Sequence, residues 1–381
     1  LMLSNIPLRL KEYPGCSSKR WAREKCAETR TRLCGKPLLK TFFYLLIKNL
    51  LRYYNYVYFR NIEVYGYENI PQDGGILFSP NHQGAFLDPL IIGSMTPNKI
   101  TSLTRSDVFG GPFKWFLDAF QMLPVYRIRN GYSNLKKNDL TFAKCYKLLS
   151  EGKYMLMFSE GGHHDEYYLQ NLSKGSSRLI YQAQQQFPDK KLYLMPVGIN
   201  YGHHRQPRCT LHLVFGKPIE INQTVDPKLT EAENINKLKA LLQQRMKECI
   251  WIEDKSENYA AQKLKINRQT TQLDFYTLKN ELETNHSKLP KRKSLSRSSL
   301  FVVWLLSLPN IIPLWITRKV ISKFEDIVFV SSMKYAMGVF FFPIWWFGSG
   351  LALAYAFGNP VMTWYLVICI TTLFTRQRVL L

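Results

Sequence analysis

The sequence predicts an α/β domain flanked by segments that associate with a membrane. Between 62 and 221, short apolar runs typical of buried strands alternate with helical patterns, as in layered α/β folds. Near the carboxyl end, 298–317 and 335–375 carry no charged residue. The second of these stretches has room for two membrane spans at about 20 residues each. The formal net charge of +23 over 381 residues indicates an anionic partner.

The positive charge is compatible with nucleic acid, an anionic membrane face or phosphate-rich small molecules. A nucleic-acid module should interleave basic with exposed aromatic residues or contain a recognition signature, and the sequence has neither. The aromatic residues are concentrated in apolar blocks instead, so we expect anionic membrane lipid and no nucleic acid as partner. The seven cysteines form no CxxC pair and their number is odd, which favours reduced thiols facing a cytoplasm.

Two segments precede the predicted α/β core. Residues 1–36 contain no signal-peptide pattern, and we expect this segment to be ill-defined or disordered, with no assigned role. Residues 37–60 are mostly apolar and aromatic, but Lys48, Arg52 and Asn55 recur at helical spacing on one face. This pattern predicts an interfacial membrane helix. A helix buried against the core is the alternative.

The core itself is predicted over 61–225. The clearest helix begins near Asn138, follows an amphipathic period and ends at Gly152. Apolar runs that predict strands are Ile62–Val64, Gly75–Phe78, Tyr154–Phe158, Leu192–Val197 and Leu211–Phe215.

The stretch from Asn81 to Asp88 contains the strongest candidates for chemistry. It follows a predicted strand and precedes an apolar stretch that can continue as a helix, so His82 lies in a strand-to-helix turn. A tight turn can bring the Asp88 carboxylate to one ring nitrogen of His82. That contact fixes the tautomer and leaves the other nitrogen to take a proton from a hydroxyl. The alternative is a capping Asn, a solvated His and an Asp at a helix N-terminus.

Two further segments carry candidate ligand-binding residues. Glu160 and Gly161 follow a predicted strand, and glycine lets the backbone approach a ligand closely. Arg127 ends the apolar run that begins at Leu123, where its guanidinium can clamp a phosphate. An ordinary turn and a surface arginine are the alternatives.

Adjacent histidines at His163-His164 and His203-His204 raise the question of a metal. Neighbouring residues in a strand or helix point apart, so each pair offers at most one ligand, and the HxxxH spacing is absent. We therefore expect solvated loop histidines and assign no metal ligand.

Four segments in order resemble the conserved blocks of the glycerolphosphate and acylglycerolphosphate acyltransferase family over roughly 60–220. Asn81-His82 with Asp88 resembles the NHxxxxD signature, and Pro124-Val125-Tyr126-Arg127 resembles the second block. Phe158-Ser159-Glu160-Gly161 is similar to the third block, usually Phe-Pro-Glu-Gly, and Met195-Pro196-Val197-Gly198 to the fourth. Lys174-Gly175 resembles the Lys-Gly stretch between the last two blocks.

The resemblance implies an α/β, mixed-sheet acyltransferase domain that needs no cofactor. It would move a fatty acyl group from acyl-CoA or acyl carrier protein to a glycerolphosphate hydroxyl, without a covalent acyl-enzyme. His82 would be the general base and Asp88 its orienting partner. The implied substrate-binding residues are Asn81, Arg127, Glu160, Gly161 and Lys174.

The third block departs from the family pattern in two ways. Ser159 replaces the usual proline, and 162–166 replaces the Thr-Arg-Ser that is common after Glu-Gly. The missing arginine leaves recognition of the acceptor phosphate open, with Lys174 or Arg178 as substitutes. We favour 1-acylglycerol-3-phosphate (lysophosphatidate) as acceptor. Glycerol-3-phosphate or another lysophospholipid is the alternative. The non-enzymatic alternative is a lipid-binding membrane protein that retains the fold without catalysis.

Beyond the core, 226–297 predicts a helical linker that ends in a basic run at 288–297. Basic residues beside a membrane segment interact with anionic cytoplasmic lipid. Residues 298–381 predict membrane segments, with spans within 335–375. Because basic residues follow both apolar stretches, the positive-inside rule favours a re-entrant segment at 298–317. The active site would then face the cytoplasm.

Overall fold

The computed structural model describes residues 41–110, 117, 120–126, 135–284, 289–290 and 295–380. The chain divides into two compact units, Leu1–Ile47 and Lys48–Leu381. In the first unit the described residues, 41–47, are helical. In the second unit, helix α1 covers 48–58 and leads into a β-sheet.

The sheet has eight strands and is mixed, as predicted. Its order is β1-β7-β6-β2-β5-β3-β4, and β8 pairs with β6. The pairs β6–β7 and β6–β8 are antiparallel, whereas all the other pairs are parallel. The strands are β1 (Asn61–Tyr65), β2 (Gly75–Pro80), β3 (Ile100–Arg105), β4 (Leu123–Val125), β5 (Tyr154–Leu156), β6 (Leu192–Tyr201), β7 (Thr210–Phe215) and β8 (Ile219–Glu220).

All five predicted apolar strands are present. The central strands β2, β5 and β6 are buried along their whole length, as expected for strands covered on both faces. Strand β3 was not predicted because its sequence, ITSLTR, interleaves hydroxyl side chains with apolar ones and contains no continuous apolar run.

The predicted helix near 138–152 is confirmed as α3, which ends two residues before Gly152 in the left-handed region (φ 72°). The helices packed around the sheet are α2 (Leu87–Met95), α3 (Leu135–Ser150), α4 (Gly175–Gln186), α5 (Ile221–Thr224), α6 (Glu231–Glu248), α7 (Tyr259–Lys265) and α8 (Phe275–Glu283).

The predicted linker at 226–297 is helical but belongs largely to the core. Helix α6 starts at a capping box formed by Thr230 and Glu233. Its buried side chains recur every three or four residues, and Leu238 and Leu242 pack in one cluster with Leu77 of β2. Each such side chain contributes about 1.5–3 kcal/mol on burial, so the domain extends past the predicted boundary at 225.

Helix α1 turns two of its three polar stripe residues, Lys48 and Asn55, toward the protein. The Lys48 ammonium is 7% exposed and donates to the carbonyls of Thr96 and Asn98, both at 2.8 Å. These carbonyls follow the end of α2, where a helix lacks its own donors and favours a cation. Asn55 is fully buried and donates to Ser94 Oγ at 2.9 Å. Side chains exposed on the opposite face are Leu50, Arg52, Tyr53, Tyr56 and Val57. Interfacial placement of this helix stays a prediction.

The carboxyl-terminal part is helical. Its helices are α9 (Arg297–Ser307), α10 (Ile311–Ile321), α11 (Phe329–Ala336), α12 (Phe342–Phe357) and α13 (Asn359–Leu380). A 3-10 turn joins α9 to α10, and a π-helical turn joins α11 to α12. The two continuous stretches, Arg297–Ile321 and Phe329–Phe357, are long and apolar enough to cross a membrane. A break at Gly358 (φ 89°) separates α12 from α13 within the uncharged stretch 335–375. The re-entrant topology stays a prediction.

Candidate active site

The turn between β2 and α2 brings His82 and Asp88 into contact. His82 Nδ1 lies 2.8 Å from Asp88 Oδ2, and the Asp88 side chain is completely buried. The same oxygen accepts the Gly84 N–H at 2.8 Å, and Oδ1 accepts the Tyr201 hydroxyl at 2.6 Å. An ionised carboxylate only accepts hydrogen bonds, so Nδ1 of His82 carries the proton. With three donors around it, Asp88 fixes both the position and the tautomer of His82.

The turn is one residue longer than the NHxxxxD signature, because five residues separate His82 from Asp88. Ala85 has a φ of +46°, which is unusual for a residue other than glycine. At Gly84 a Cβ atom would lie 2.6 Å from Asp88 Oδ1, so only glycine fits there. A backbone conformation of this kind costs of order 1–3 kcal/mol and persists only where surrounding contacts hold it.

Tyr201, at the end of β6, is a site residue that the sequence analysis missed. It is buried, and burial together with the neighbouring Asp88 carboxylate raises the pKa of its hydroxyl well above 10. The hydroxyl therefore stays a donor to Asp88. No local pattern pointed to it, since 113 positions separate the two residues in the chain.

Two aromatic rings contact the His82 ring. The ring stacks on Phe158, with centroids 3.8 Å apart and an angle of 16° between the planes. His163 lies edge-on to it, with centroids 5.4 Å apart. The His82 side chain keeps 14% of its exposure, and in the part of the chain that the structure describes its Nε2 atom has no hydrogen-bond partner. This nitrogen can therefore accept a proton from a bound molecule.

Glu160 holds the loop after β5 against this turn. Its side chain is completely buried and accepts the N–H groups of His82 and Gln170 at 2.6 and 2.9 Å, as well as His164 Nε2 at 3.1 Å. These contacts give Glu160 a positioning role. Gly161 has a φ of +73°, and a Cβ atom there would meet no described atom within 4 Å. Gly161 therefore borders open space, and substrate binding by both residues stays a prediction.

Asn81 anchors the first residue of the turn. Its side-chain amide is 1% exposed, accepts the Ile199 N–H at 2.7 Å and donates to the Ile199 carbonyl at 3.0 Å. The amide therefore ties the turn to β6. Substrate binding by Asn81 stays a prediction.

Ser159, which replaces the usual proline, links three elements. Its hydroxyl lies 2.5 Å from that of Ser79 at the end of β2 and also contacts the hydroxyl of Ser176 in the first turn of α4. All three serines are buried. The contact places the amino end of α4, with the exposed Lys174 and Arg178, at the same edge of the sheet as His82. Arg127 lies outside the described residues.

Residues 61–200 match the family model described as Acyltransferase. Residues 61–200 are an acyltransferase-family domain. The chain is 29% identical over 112 residues to Glycerol-3-phosphate O-acyltransferase 1 of Saccharomyces cerevisiae, covering 29% of this chain and 15% of that protein. It is 26% identical over 194 residues to the 1-acyl-sn-glycerol-3-phosphate acyltransferase of Bacillus subtilis, covering 49% of this chain and 87% of that protein.

Two further proteins show similarity to parts of this chain. An uncharacterized acyltransferase of Schizosaccharomyces pombe is 36% identical over 73 residues, which are 19% of this chain and 11% of that protein. The crystal structure of the 1-acyl-sn-glycerophosphate (LPA) acyltransferase from Thermotoga maritima aligns with a TM-score of 0.39 at 15% identity, covering 55% of this chain and 82% of that one. The matched regions thus span only 11% and 15% of the two yeast relatives.

The carboxyl-terminal segment contacts one side of the turn that contains His82. Ser332 of α11 accepts the Leu87 N–H at 3.0 Å and donates to the Gly84 carbonyl at 2.7 Å. Asp326, just before α11, lies 2.6 Å from His163 Nε2. The strained turn of the acyltransferase domain is therefore held by a segment more than 240 positions away in the chain.

The two histidine pairs, His163-His164 and His203-His204, make hydrogen bonds within the protein. His204 was expected to be solvated, but it is 7% exposed. It stacks on Tyr167, and its two nitrogens lie 3.1 Å from Asp165 and 3.2 Å from Gln83. Burial lowers the pKa of His204, against the opposing effect of Asp165. No group of three or more histidine, cysteine or acidic side chains among the described residues is arranged to hold a metal ion.

Proposed function

We propose that this protein is a membrane-bound O-acyltransferase of phospholipid synthesis. It moves a fatty acyl group from acyl-CoA or acyl carrier protein to a glycerolphosphate hydroxyl, preferentially that of 1-acylglycerol-3-phosphate. One observation carries the proposal: Nδ1 of His82 is held by the buried Asp88, and Nε2 is left without a partner among the described residues. The similarity to the Bacillus subtilis enzyme over 87% of its length supports this acceptor. The shorter match to the yeast enzyme makes glycerol-3-phosphate the second candidate.

His82 acts in this proposal as the general base. Its Nε2 atom takes the proton of the acceptor hydroxyl while the hydroxyl oxygen attacks the thioester carbonyl. The new C–O ester bond forms, the C–S bond breaks, and the proton passes from His82 to the leaving thiolate. Asp88 does not take up the proton. It stabilises the imidazolium that forms transiently, which is the usual role of a carboxylate behind a catalytic histidine.

The acceptor phosphate would bind at the amino end of α4. Lys174 and Arg178 are exposed there, and unsatisfied N–H groups at a helix N-terminus favour an anion. A Cβ atom at Gly161, on the loop after β5, would meet no described atom within 4 Å. Arg127 is the further cation that we assign to this phosphate.

Membrane placement is supported by two features of the carboxyl-terminal helices. The stretches Arg297–Ile321 and Phe329–Phe357 are long and apolar enough to span a membrane, and many of their large apolar side chains are exposed, among them Trp304, Ile344, Leu351 and Tyr355. Because α11 also holds the turn that contains His82, the site would lie close to the membrane surface. The basic residues around these stretches favour the cytoplasmic leaflet.

The test uses membranes that contain the full chain, labelled acyl-CoA or acyl carrier protein, and two acceptors offered separately. Wild type and His82→Ala are assayed side by side at equal amounts of protein. We expect labelled phosphatidate from 1-acylglycerol-3-phosphate, reduced about 10²–10⁴-fold in the variant. Product from glycerol-3-phosphate alone would contradict the acceptor assignment. No product with either acceptor and either donor would favour a lipid-binding protein that retains the fold.

A further inference from the structure

A large cavity lies among α1, α10, α11, α12 and α13. Its volume is about 870 Å³, within the usual range of small-molecule sites. None of the residues that line it belongs to the matched acyltransferase region 61–200, so it is separate from the His82 site. Its walls are mostly apolar and include Tyr54, Val57, Leu314, Val339, Phe342 and Trp346.

Cations line the same cavity. Arg208, Arg318, Lys334 and Arg376 all contribute to its wall. Lys334 Nζ donates to the Arg205 carbonyl at 2.7 Å, and Arg376 Nε donates to an uncharged hydroxyl. Within the described ranges, none of the four wall cations forms a salt bridge with a carboxylate. A cation beside an apolar wall and without a counter-charge is energetically costly, which favours an anionic occupant.

Arg208 also belongs to a second, smaller pocket. Four arginines, Arg60, Arg208, Arg268 and Arg378, line this space of about 210 Å³. Burial and the charges of the other three arginines lower the pKa of Arg208, so these side chains repel one another. Guanidinium groups pair with phosphate oxygens through two parallel hydrogen bonds. A phosphate group would therefore replace repulsion by attraction.

The conformation and contacts of Arg208, which lines both spaces, indicate a preorganised binding site. Its φ is +65°, a left-handed conformation that is strained for arginine. Its guanidinium donates to the carbonyls of Val57 and Phe59, both at 3.0 Å, and lies over the ring of Phe374. The strained residue thus lines both the arginine pocket and the apolar cavity.

We infer that the two spaces, which share Arg208 in their walls, together bind an anionic glycerophospholipid with a phosphomonoester head, of the phosphatidate type, at a site separate from the His82 site. The phosphate lies among Arg60, Arg208, Arg268 and Arg378, and an acyl chain fills the apolar cavity. The combination decides the ligand class, since a soluble phosphate would leave the apolar cavity unused and a neutral lipid would leave the arginines unpaired. The inference does not depend on the proposed acyl transfer.

The experiment measures lipid retained by the full chain in detergent micelles, using native mass spectrometry. Dioleoyl phosphatidate and dioleoyl phosphatidylcholine are offered separately. We expect the wild type to retain one phosphatidate, at least about tenfold more tightly than phosphatidylcholine. In the double variant Arg268→Gln/Arg378→Gln, affinity for phosphatidate should fall by about tenfold or more, because hydrogen bonds between charged groups are lost.

Two further variants distinguish binding of the phosphate head group from binding of the acyl chain and from a general effect of positive charge. Val339→Trp places a bulky ring in the apolar cavity and should reduce phosphatidate retention at least about tenfold, because the ring obstructs the acyl chain while all four arginines remain. The control Arg52→Gln/Arg297→Gln removes the same charge from two exposed arginines that line neither space, and it should bind like the wild type. Thermal midpoints within a few degrees of the wild type show that each variant is folded.

Three results would overturn the inference. One is equal retention of phosphatidate and phosphatidylcholine by the wild type. Another is undiminished phosphatidate binding by a folded Arg268→Gln/Arg378→Gln variant. The third is competition by millimolar inorganic phosphate combined with no effect of Val339→Trp, which would assign the arginine pocket to a soluble anion. Acyl transfer is not measured here, so failure of this inference is distinct from failure of the proposed function.

Discussion

Replacing Asp88 by asparagine tests whether the charge behind His82, rather than its hydrogen bond alone, supports catalysis. The asparagine amide has nearly the shape of the carboxylate. Its oxygen can face Gly84 and His82, and its NH₂ group can donate to the Tyr201 oxygen, so the hydrogen bonds around residue 88 can all be retained. What the substitution removes is the negative charge.

The size of the effect follows from the geometry. With Nδ1 and Oδ2 2.8 Å apart, the centres of the two charges lie about 4 Å apart. Two unit charges at that distance interact by about 4 kcal/mol at an effective dielectric constant of about 20. This interaction stabilises the imidazolium in the transition state, so kcat for Asp88→Asn should fall by about 10³-fold.

Tyr201→Phe is the matched comparison, because it removes a donor from Asp88 but keeps the charge. We expect kcat to fall by about tenfold or less. Both variants are assayed with purified protein, labelled acyl-CoA and saturating acceptor, beside a thermal unfolding measurement. Equal loss in the two variants, or an Asp88→Asn enzyme within tenfold of the wild type, would refute the electrostatic reasoning.

Three further predictions concern stability and are measured by thermal or denaturant unfolding. Glu160→Gln leaves one of three buried donors without an acceptor and should lower the free energy of unfolding by about 1–3 kcal/mol. An unchanged unfolding midpoint would contradict the positioning role of Glu160. Ser159→Pro restores the residue usual in the family but removes the hydroxyl bound to Ser79 and Ser176. It should therefore destabilise this chain by about 1–3 kcal/mol, whereas a gain in stability would disprove that account. Burial lowers the pKa of His212 from 6.5 to about 4, against the pull of Glu63. Folding therefore favours the neutral imidazole. Its contribution to the free energy of unfolding is complete above pH 6.5, and up to roughly 3 kcal/mol of that free energy is lost as the pH falls toward 4. His212→Phe should flatten this dependence, and identical pH profiles would count against it.

The sequence predicted the strands of the core well because buried parallel strands are continuous apolar runs. The His82–Asp88 pair was also predictable, since both residues lie in one short turn. Tyr201 and Ser332 were not, because they reach that turn from β6 and α11, 113 and 245–248 positions away. Such contacts depend on tertiary packing, which a local pattern does not contain.

Helix α1 shows another limit of pattern analysis. The spacing of Lys48, Arg52 and Asn55 indicates that they share a face but not what that face contacts. In the structure Lys48 and Asn55 satisfy groups at the end of α2, whereas Arg52 is exposed. A polar stripe on an apolar helix can therefore be the buried face when it meets unpaired carbonyls.

The central claim is that His82, and not the neighbouring His163, accepts the proton of the acceptor. The two rings lie edge to face, and each contacts a carboxylate. The most direct measurement is the single-turnover rate of acyl transfer by His82→Ala and His163→Ala, each compared with the wild type. We expect a loss of about 10²–10⁴-fold for His82→Ala. For His163→Ala we expect less than about tenfold, because it removes two ring contacts, with His82 and Phe329, and a partly exposed contact with Asp326. A His163→Ala loss as large as that of His82→Ala, or an active His82→Ala enzyme, would contradict the account.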